Sequence, residues 1–267
     1  MRDGFDRPIR YLRVSVTDRC NLRCEYCAPP ESEDRRLKGK LLSLDSIARI
    51  ARAAVGLGVE KLRLTGGEPL LRDGIVGLVG ELSRIPGLKT LAMTTNGTRL
   101  AAAAADLRAA GLDSVNVSLD TLDGGRYERM TRGGSLAEVL AGIDAALGAG
   151  LPVKLNIVLA EGDSRAEEEA CAVERYGRER GASSQRIRRY DLRETKVYDP
   201  RFDRPPRCEA CDRIRLLADG RLMPCLHSDL ALPIDLERIE ESLKACIGRK
   251  PERGEACTTL RIGQIGG

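Results

Sequence analysis

The chain has 267 residues, 42% of them hydrophobic and 31% charged, with 44 Lys plus Arg against 40 Asp plus Glu for a net charge of +4. Aromatics make up only 3% with no Trp, which disfavours a binder that stacks nucleobases, and the near-balanced charge disfavours a bulk basic field for duplex nucleic acid. No apolar run reaches the roughly 20 residues of a membrane helix, and the charged start MRDGFDRPIR lacks the apolar stretch of a secretory signal, so a cytoplasmic location with no membrane partner is expected.

In chain order, Arg10 to Thr17 alternates as a strand, and Leu44 to Gly56 has helical spacing after Ser43, a fitting N-cap. Glu60 to Thr65 predicts a second strand, followed by a helix near Ile75 to Ile85. Thr90 to Thr94 predicts a third, followed by an Ala-rich helix from Leu100 to Ala110. Ser114 to Leu119 and Pro152 to Leu159 predict the fourth and fifth strands, with helices over Leu136 to Leu147 and Ala166 to Arg180. Ser184 to Tyr190 is the weakest strand signal and the sixth. Alternating β and α units imply a parallel sheet with right-handed crossovers. Six units are too few for a closed eight-stranded barrel, so the expectation is an α/β fold: an open, partial (β/α)6 TIM-type barrel with its chemistry at the carboxyl ends of the strands. Beyond Asp191 the pattern breaks into a charged, Pro-bearing connection, a Cys-bearing segment, a helix near Leu236 to Cys246 and a Gly/Arg-rich tail. The expected division is therefore a barrel over 1–190 and a small C-terminal region over 191–267.

Nine cysteines, clustered rather than spread, read as metal ligands in a reducing compartment. Cys20, Cys24 and Cys27 form a CxxxCxxC after the first strand. Three thiolates can hold three irons of a [4Fe–4S] cube and leave the fourth iron open to a small molecule. A zinc knuckle would need a fourth ligand that nothing local supplies. The second set is Cys208, Cys211 and Cys225, again three thiols without an obvious fourth. Here a second iron–sulfur cluster and a Cys3His zinc site using His227, the single histidine, both remain open. Arg213 and Arg215 follow Cys211 and suit an anionic substrate, since guanidinium forks match phosphate. Cys171 lies in a helical stretch and reads as an ordinary small apolar residue.

The CxxxCxxC with Tyr26 before its last cysteine, and Gly66-Gly67-Glu68-Pro69 ending the second strand, resemble the radical S-adenosylmethionine (SAM) superfamily. More narrowly, LRVSVTDRCNLRCEYC, KLRLTGGEPLLR, TTNG, NVSLDTLD, GLPVKLN, CxxCDRIRLxADGRLxPCL and the terminal Gly266-Gly267 together resemble the GTP 3′,8-cyclase family of molybdenum cofactor biosynthesis. That resemblance implies two [4Fe–4S] clusters, SAM and GTP. A 5′-deoxyadenosyl radical takes H3′ from the ribose, C3′ attacks C8, and the product is (8S)-3′,8-cyclo-7,8-dihydro-GTP. By the same resemblance Cys20, Cys24 and Cys27 bind the SAM cluster, and Tyr26, Gly67 and Ser118 contact SAM. Cys208, Cys211 and Cys225 bind the second cluster. Arg13, Arg63, Thr94, Lys154, Arg213, Ile214 and Arg215 contact GTP, and the Gly-Gly tail reaches into the barrel. The implied partners are a one-electron donor such as flavodoxin or ferredoxin, a downstream cyclic pyranopterin synthase, and in some cases a second copy in a homodimer.

Three features depart from the family pattern. The connection from Arg189 to Cys208 is several dozen residues short. The sixth-strand stretch reads Arg188-Arg189-Tyr190-Asp191 where the family carries a SAM-contacting Met. A stretch that usually reads threonine-glycine reads Thr131-Arg132-Gly133. The alternatives are a radical SAM enzyme with an auxiliary cluster acting on another substrate such as a peptide, and a non-catalytic iron–sulfur protein.

Overall fold

Alternation gives the early strands two faces with opposite chemistry. In β1 (Tyr11–Ser15), Leu12 and Val14 enter the apolar core, while Tyr11, Arg13 and Ser15 share the opposite face. The computed structural model describes residues 1–27, 40–159, 165–189, 191–204 and 206–266. Within it, α1 (Leu44–Gly56) begins where the Ser43 hydroxyl accepts from the Ser46 amide at 3.0 Å, the N-cap that its sequence implies. Then come β2 (Lys61–Thr65), a 3₁₀ turn at Pro69–Leu71, α2 (Ile75–Leu82), β3 (Thr90–Thr95), α3 (Leu100–Ala109) and β4 (Ser114–Ser118). They are followed by α4 (Gly124–Thr131), α5 (Leu136–Gly148), β5 (Val153–Leu159), α6 (Ala166–Glu179) and β6 (Ser183–Arg188). The C-terminal region supplies β7 (Arg213–Leu216), β8 (Arg221–Met223), β9 (Leu232–Pro233), α7 (Ile239–Gly248) and α8 (Ile262–Ile265).

The sheet order is β6-β5-β4-β3-β2-β1-β7-β8-β9, parallel from β6 through β7 and antiparallel beyond. The sheet does not close on itself, so the expected open, partial TIM-type barrel is what forms. Leu62, Leu64, Leu91, Met93, Val115, Val117, Leu155 and Ile157 meet Ile47, Ile50, Leu82, Leu107, Ile143 and Val173 of the helices in one outer core. The inner face keeps the polar alternates.

The sequence reading does not contain α4, β7, β8, β9 or α8, and two of these shape the site. α4 opens with Gly124-Gly125, poor helix formers that hide it, and it forms because the Asp123 carboxylate accepts from the Arg126 amide at 2.9 Å. β7 joins the main sheet, pairing parallel with β1 from Tyr11↔Arg213 to Val14↔Leu216. The Asp212 carbonyl starts that pairing by accepting from the Arg10 and Tyr11 amides. The sixth-strand reading extended to Tyr190, and the tail reading to Gly267; both residues lie outside the described residues.

Candidate active site

The inner faces enclose a cavity of about 330 Å³. The CxxxCxxC loop follows β1, so it stands at the carboxyl end of the barrel strands. Cys20, Cys24 and Cys27 all line the cavity there. Three neighbours fix the loop. The Gly67 amide donates to Thr17 O at 2.8 Å and the Glu68 amide to Arg19 O at 2.7 Å. At the end of α4 the Met130 and Thr131 carbonyls accept from the Glu25 and Arg23 amides. Asn21 donates to Thr98 Oγ1 at 2.9 Å and accepts from Asn96 at 3.0 Å.

Glu68 holds this end together from beneath. Fully buried, it accepts from the Thr95 hydroxyl (2.7 Å), the Asn96 amide (2.7 Å) and the Leu70 amide (3.0 Å), and burial pushes its carboxyl upward despite those bonds. The glycines before it are explained by protein rather than by a ligand. A Cβ at Gly66 would lie 2.5 Å from Thr17 O, and one at Gly67 would overlap Arg19 O. Burial, with Cys20 and Asp120 nearby, pushes the Cys24 thiol up to about 12, so without metal it stays protonated. Burial likewise pushes Asp120 up to about 6, although it accepts from the Val158 amide at 2.7 Å and from the Tyr26 hydroxyl.

β7 runs parallel to β1 and β8 runs back, so Cys208, Cys211 and Cys225 cluster at the other, amino end of the strands. Cys211 and Cys225 line the cavity; Cys208 sits just behind, with Lys196 Nζ donating to its sulfur at 3.5 Å. Lys250, only 3% exposed, donates to Arg213 O (2.6 Å) and Pro224 O (2.7 Å), tying the two cysteine-bearing loops together. Buried Arg7 donates to Cys208 O at 2.9 Å, anchoring the same region to the N-terminal segment. His227 is buried beside Cys225, and burial lowers its pKa.

Between these ends the wall is cationic. Arg13, Arg63, Lys154, Arg213 and Arg215 all face the cavity, as do Thr94, Ser118, Tyr26 and Gly67. The five cationic residues, Thr94 and Ser118 project from within the strands, whereas Tyr26 and Gly67 belong to the carboxyl-end loops. Arg63 donates through Nε to the Tyr11 hydroxyl (2.7 Å) and through Nη1 to Thr94 Oγ1 (3.1 Å). Ile214 does not share this face; at 1% exposure its side chain belongs to the outer core, as parity between two inward arginines requires. Among the described lining residues eleven are Lys or Arg and two, Asp18 and Asp120, are carboxylates. Both carboxylates follow β1 or β4 at the carboxyl end, so the lining of the middle and amino end is cationic, with Asp212 just outside it pairing with Arg213 at 3.7 Å.

Several site residues were missed. Tyr11 lies under Arg213 (5.3 Å from its ring centroid) and Lys61 (5.2 Å), and although burial would raise its pKa, Arg13, Arg63 and Lys61 lower it. Asn116 donates to Asn156, which also accepts from Gln185, an amide ladder across β4, β5 and β6. Strand parity could have found them all: Tyr11 and Lys61 share the faces of Arg13 and Arg63, and Asn116 and Asn156 those of Ser118 and Lys154. The remaining cysteines lie apart, Cys171 exposed on α6 and Cys246 and Cys257 buried. Among the described residues no helix is long and apolar enough to cross a membrane.

The carboxyl-end thiols fit an iron–sulfur cluster. Thiolates on a cube bind separate irons and need not meet at one point. Among the described residues no three His, Cys, Asp or Glu side chains converge on a single ion.

Comparison with known proteins agrees. A profile of the Radical SAM superfamily matches residues 14–172. A GTP 3′,8-cyclase of Peptoclostridium acidaminophilum is 41% identical over 270 residues, covering 85% of this chain and 83% of that protein. One of Alkaliphilus oremlandii is 36% identical over 320 positions and 100% of both chains, an alignment longer than this chain, so that relative carries internal residues absent here. In fold, the chain resembles the structure described as native anSMEcpe with bound AdoMet, at TM-score 0.65 and 14% identity over 91% of this chain and 81% of that one. Streptococcus suis SuiB bound to S-adenosylmethionine superposes at TM-score 0.64 and 16% identity, over 82% of this chain and 60% of that one. By sequence likeness, by fold and by the cysteine loop at the carboxyl end of its barrel, the chain belongs to the GTP 3′,8-cyclase family of the Radical SAM superfamily.

Proposed function

We propose that this chain cyclises GTP to (8S)-3′,8-cyclo-7,8-dihydro-GTP, the first step of molybdenum cofactor biosynthesis. The observation that carries this reading is the placement of two three-cysteine sets at opposite ends of one cavity whose intervening wall is cationic. A neutral peptide substrate would not call for such a wall, whereas a triphosphate does.

Cys20, Cys24 and Cys27 hold a [4Fe–4S] cluster, with Tyr26, Gly67 and Ser118 against SAM. When bound, cluster and SAM supply the radical chemistry that activates one ribose C–H bond. Cys208, Cys211 and Cys225 would hold a second [4Fe–4S] cluster, three thiolates leaving one iron open to take the purine. Arg13, Arg63, Lys154, Arg213 and Arg215 bind the phosphates, and Thr94 orients Arg63 through its 3.1 Å hydrogen bond. Ile214 contributes only main chain, because its side chain is in the core. The tail reaches the same space. Arg13 donates to Gly266 O at 3.0 Å, and a Cβ on Gly266 would lie 2.5 Å from Thr65 Oγ1. With C3′ and C8 held between the two ends and water excluded, closure of the C3′–C8 bond competes over quenching. In this reading residues 1–190 form the radical-generating unit and 191–267 the purine-holding unit. A flavodoxin or ferredoxin supplies electrons, a cyclic pyranopterin synthase consumes the product, and the chain works in the cytoplasm, as a monomer or a homodimer.

Anaerobic reconstitution with iron, sulfide, SAM, GTP and a reductant tests the reading. A product isomeric with GTP is expected, and about eight irons per chain, falling to about half when Cys20, Cys24 and Cys27 are all replaced by Ala. SAM cleavage with GTP left unchanged would overturn it.

A further inference from the structure

Within the short connection between β6 and β7, Asp203 and Arg204 pair with the edge strand β6. The Asp203 amide donates to Arg186 O at 3.0 Å, the Arg186 amide to Asp203 Oδ2 at 2.8 Å, and the Arg188 amide to Arg204 O at 3.1 Å. Arg204 thereby forms a parallel bridge with Ile187. Partners in a bridge point to the same face of a sheet. Ile187 lines the cavity, and so does Arg204. The connection acts as a one-bridge continuation of the sheet beyond β6, and its inward residue is an arginine.

That arginine joins the cationic wall. Its charge is close enough to Lys61 and Arg63 to depress the pKa of both, although burial is the larger cause in each case. Among the described residues its guanidinium makes no hydrogen bond or ion pair. The carboxylate nearby, Asp212, pairs with Arg213 at 3.7 Å and acts on Lys61 as well, which leaves net positive charge among Lys61, Arg63 and Arg204 that a bound anion would relieve.

Resting on the cyclase reading, we propose that Arg204 is an additional triphosphate-binding residue. It is supplied by the short connection itself and reaches the nucleotide from the open edge of the barrel. Bidentate guanidinium contact suits a phosphate group. The connection therefore does two jobs in this chain: it narrows the lateral opening and delivers charge to the substrate.

The test measures binding of GTP, guanosine, inorganic triphosphate and SAM to the anaerobically reconstituted enzyme, as wild type, Arg204→Ala and Arg204→Lys. Arg204→Ala should weaken GTP and inorganic triphosphate by roughly ten- to a hundredfold, the loss of one charge-assisted contact. Guanosine and SAM affinities should stay unchanged, and Arg204→Lys should recover part of the loss. Unchanged GTP affinity in Arg204→Ala overturns the assignment while leaving the cyclase reading intact. Equal losses for GTP and guanosine overturn it too, since they mark a structural role. A wild-type enzyme that binds SAM but no GTP overturns the cyclase reading and the assignment with it.

Discussion

Gly67 has no room for a side chain, because a Cβ there would overlap the Arg19 carbonyl that receives the Glu68 amide. Gly67→Ala must push the GGEP turn off the cysteine loop. It should cost about 1–3 kcal/mol in urea unfolding, as overpacking does, and lower iron retention at the carboxyl-end set. Unchanged stability with full iron would show that the loop can give way. Asp120 makes a pH-dependent statement. Its carboxyl titrates near 3.8 when unfolded and near 6 when folded. A raised folded value means the native state keeps a proton the unfolded chain has released. Stability of the metal-free protein should therefore fall as pH rises through about 4 to 6, and Asp120→Asn should flatten that slope. Melting curves at pH 4 and pH 7 compare the two; identical slopes would rule Asp120 out as the source. The family departure at Arg132 is visible at this scale as well. Its φ of 55° puts a non-glycine residue at the left-handed C-cap of α4, where the family pattern has glycine.

Among the elements, α4 and the β7–β8 hairpin do the positioning. α4 presents two C-terminal carbonyls to the cysteine loop, so a helix that glycines conceal in the sequence sets the geometry of the first thiols. The hairpin carries Cys211 before it and Cys225 after it, and the Lys250 amine joins the two flanks. Lys250→Met would leave the Arg213 and Pro224 carbonyls without that donor, at about 1–3 kcal/mol for each group left unsatisfied. The expected outcome is a less stable protein that loses iron from the amino-end set and retains it at Cys20, Cys24 and Cys27. Equal iron loss at both sets, read by spectroscopy with each cysteine set replaced in turn, would mean that the amine supports the whole fold instead.

For the whole molecule, periodicity was enough to read the six βα units and the open barrel, because apolar alternates and turn residues report directly on a two-faced sheet. The two candidate cysteine sets stand out by spacing in the sequence, and the β7–β8 hairpin brings Cys211 and Cys225 to the same end of the strands. The interior was readable only in part. Lys61, Tyr11 and the Asn116–Asn156–Gln185 ladder look like solvent-facing polar residues until the sheet curls around them. Arg204 could not be read at all, because its position depends on a single bridge across the barrel edge. The central claim is that the cavity holds GTP with its ribose exposed to the radical chemistry supplied at the carboxyl end. It is tested most directly with GTP deuterated at C3′, incubated anaerobically with the reconstituted enzyme, SAM and reductant. The account predicts deuterium in the 5′-deoxyadenosine formed and a cyclised product that has lost it. Deuterium-free 5′-deoxyadenosine, with the label still on unreacted GTP, would contradict it.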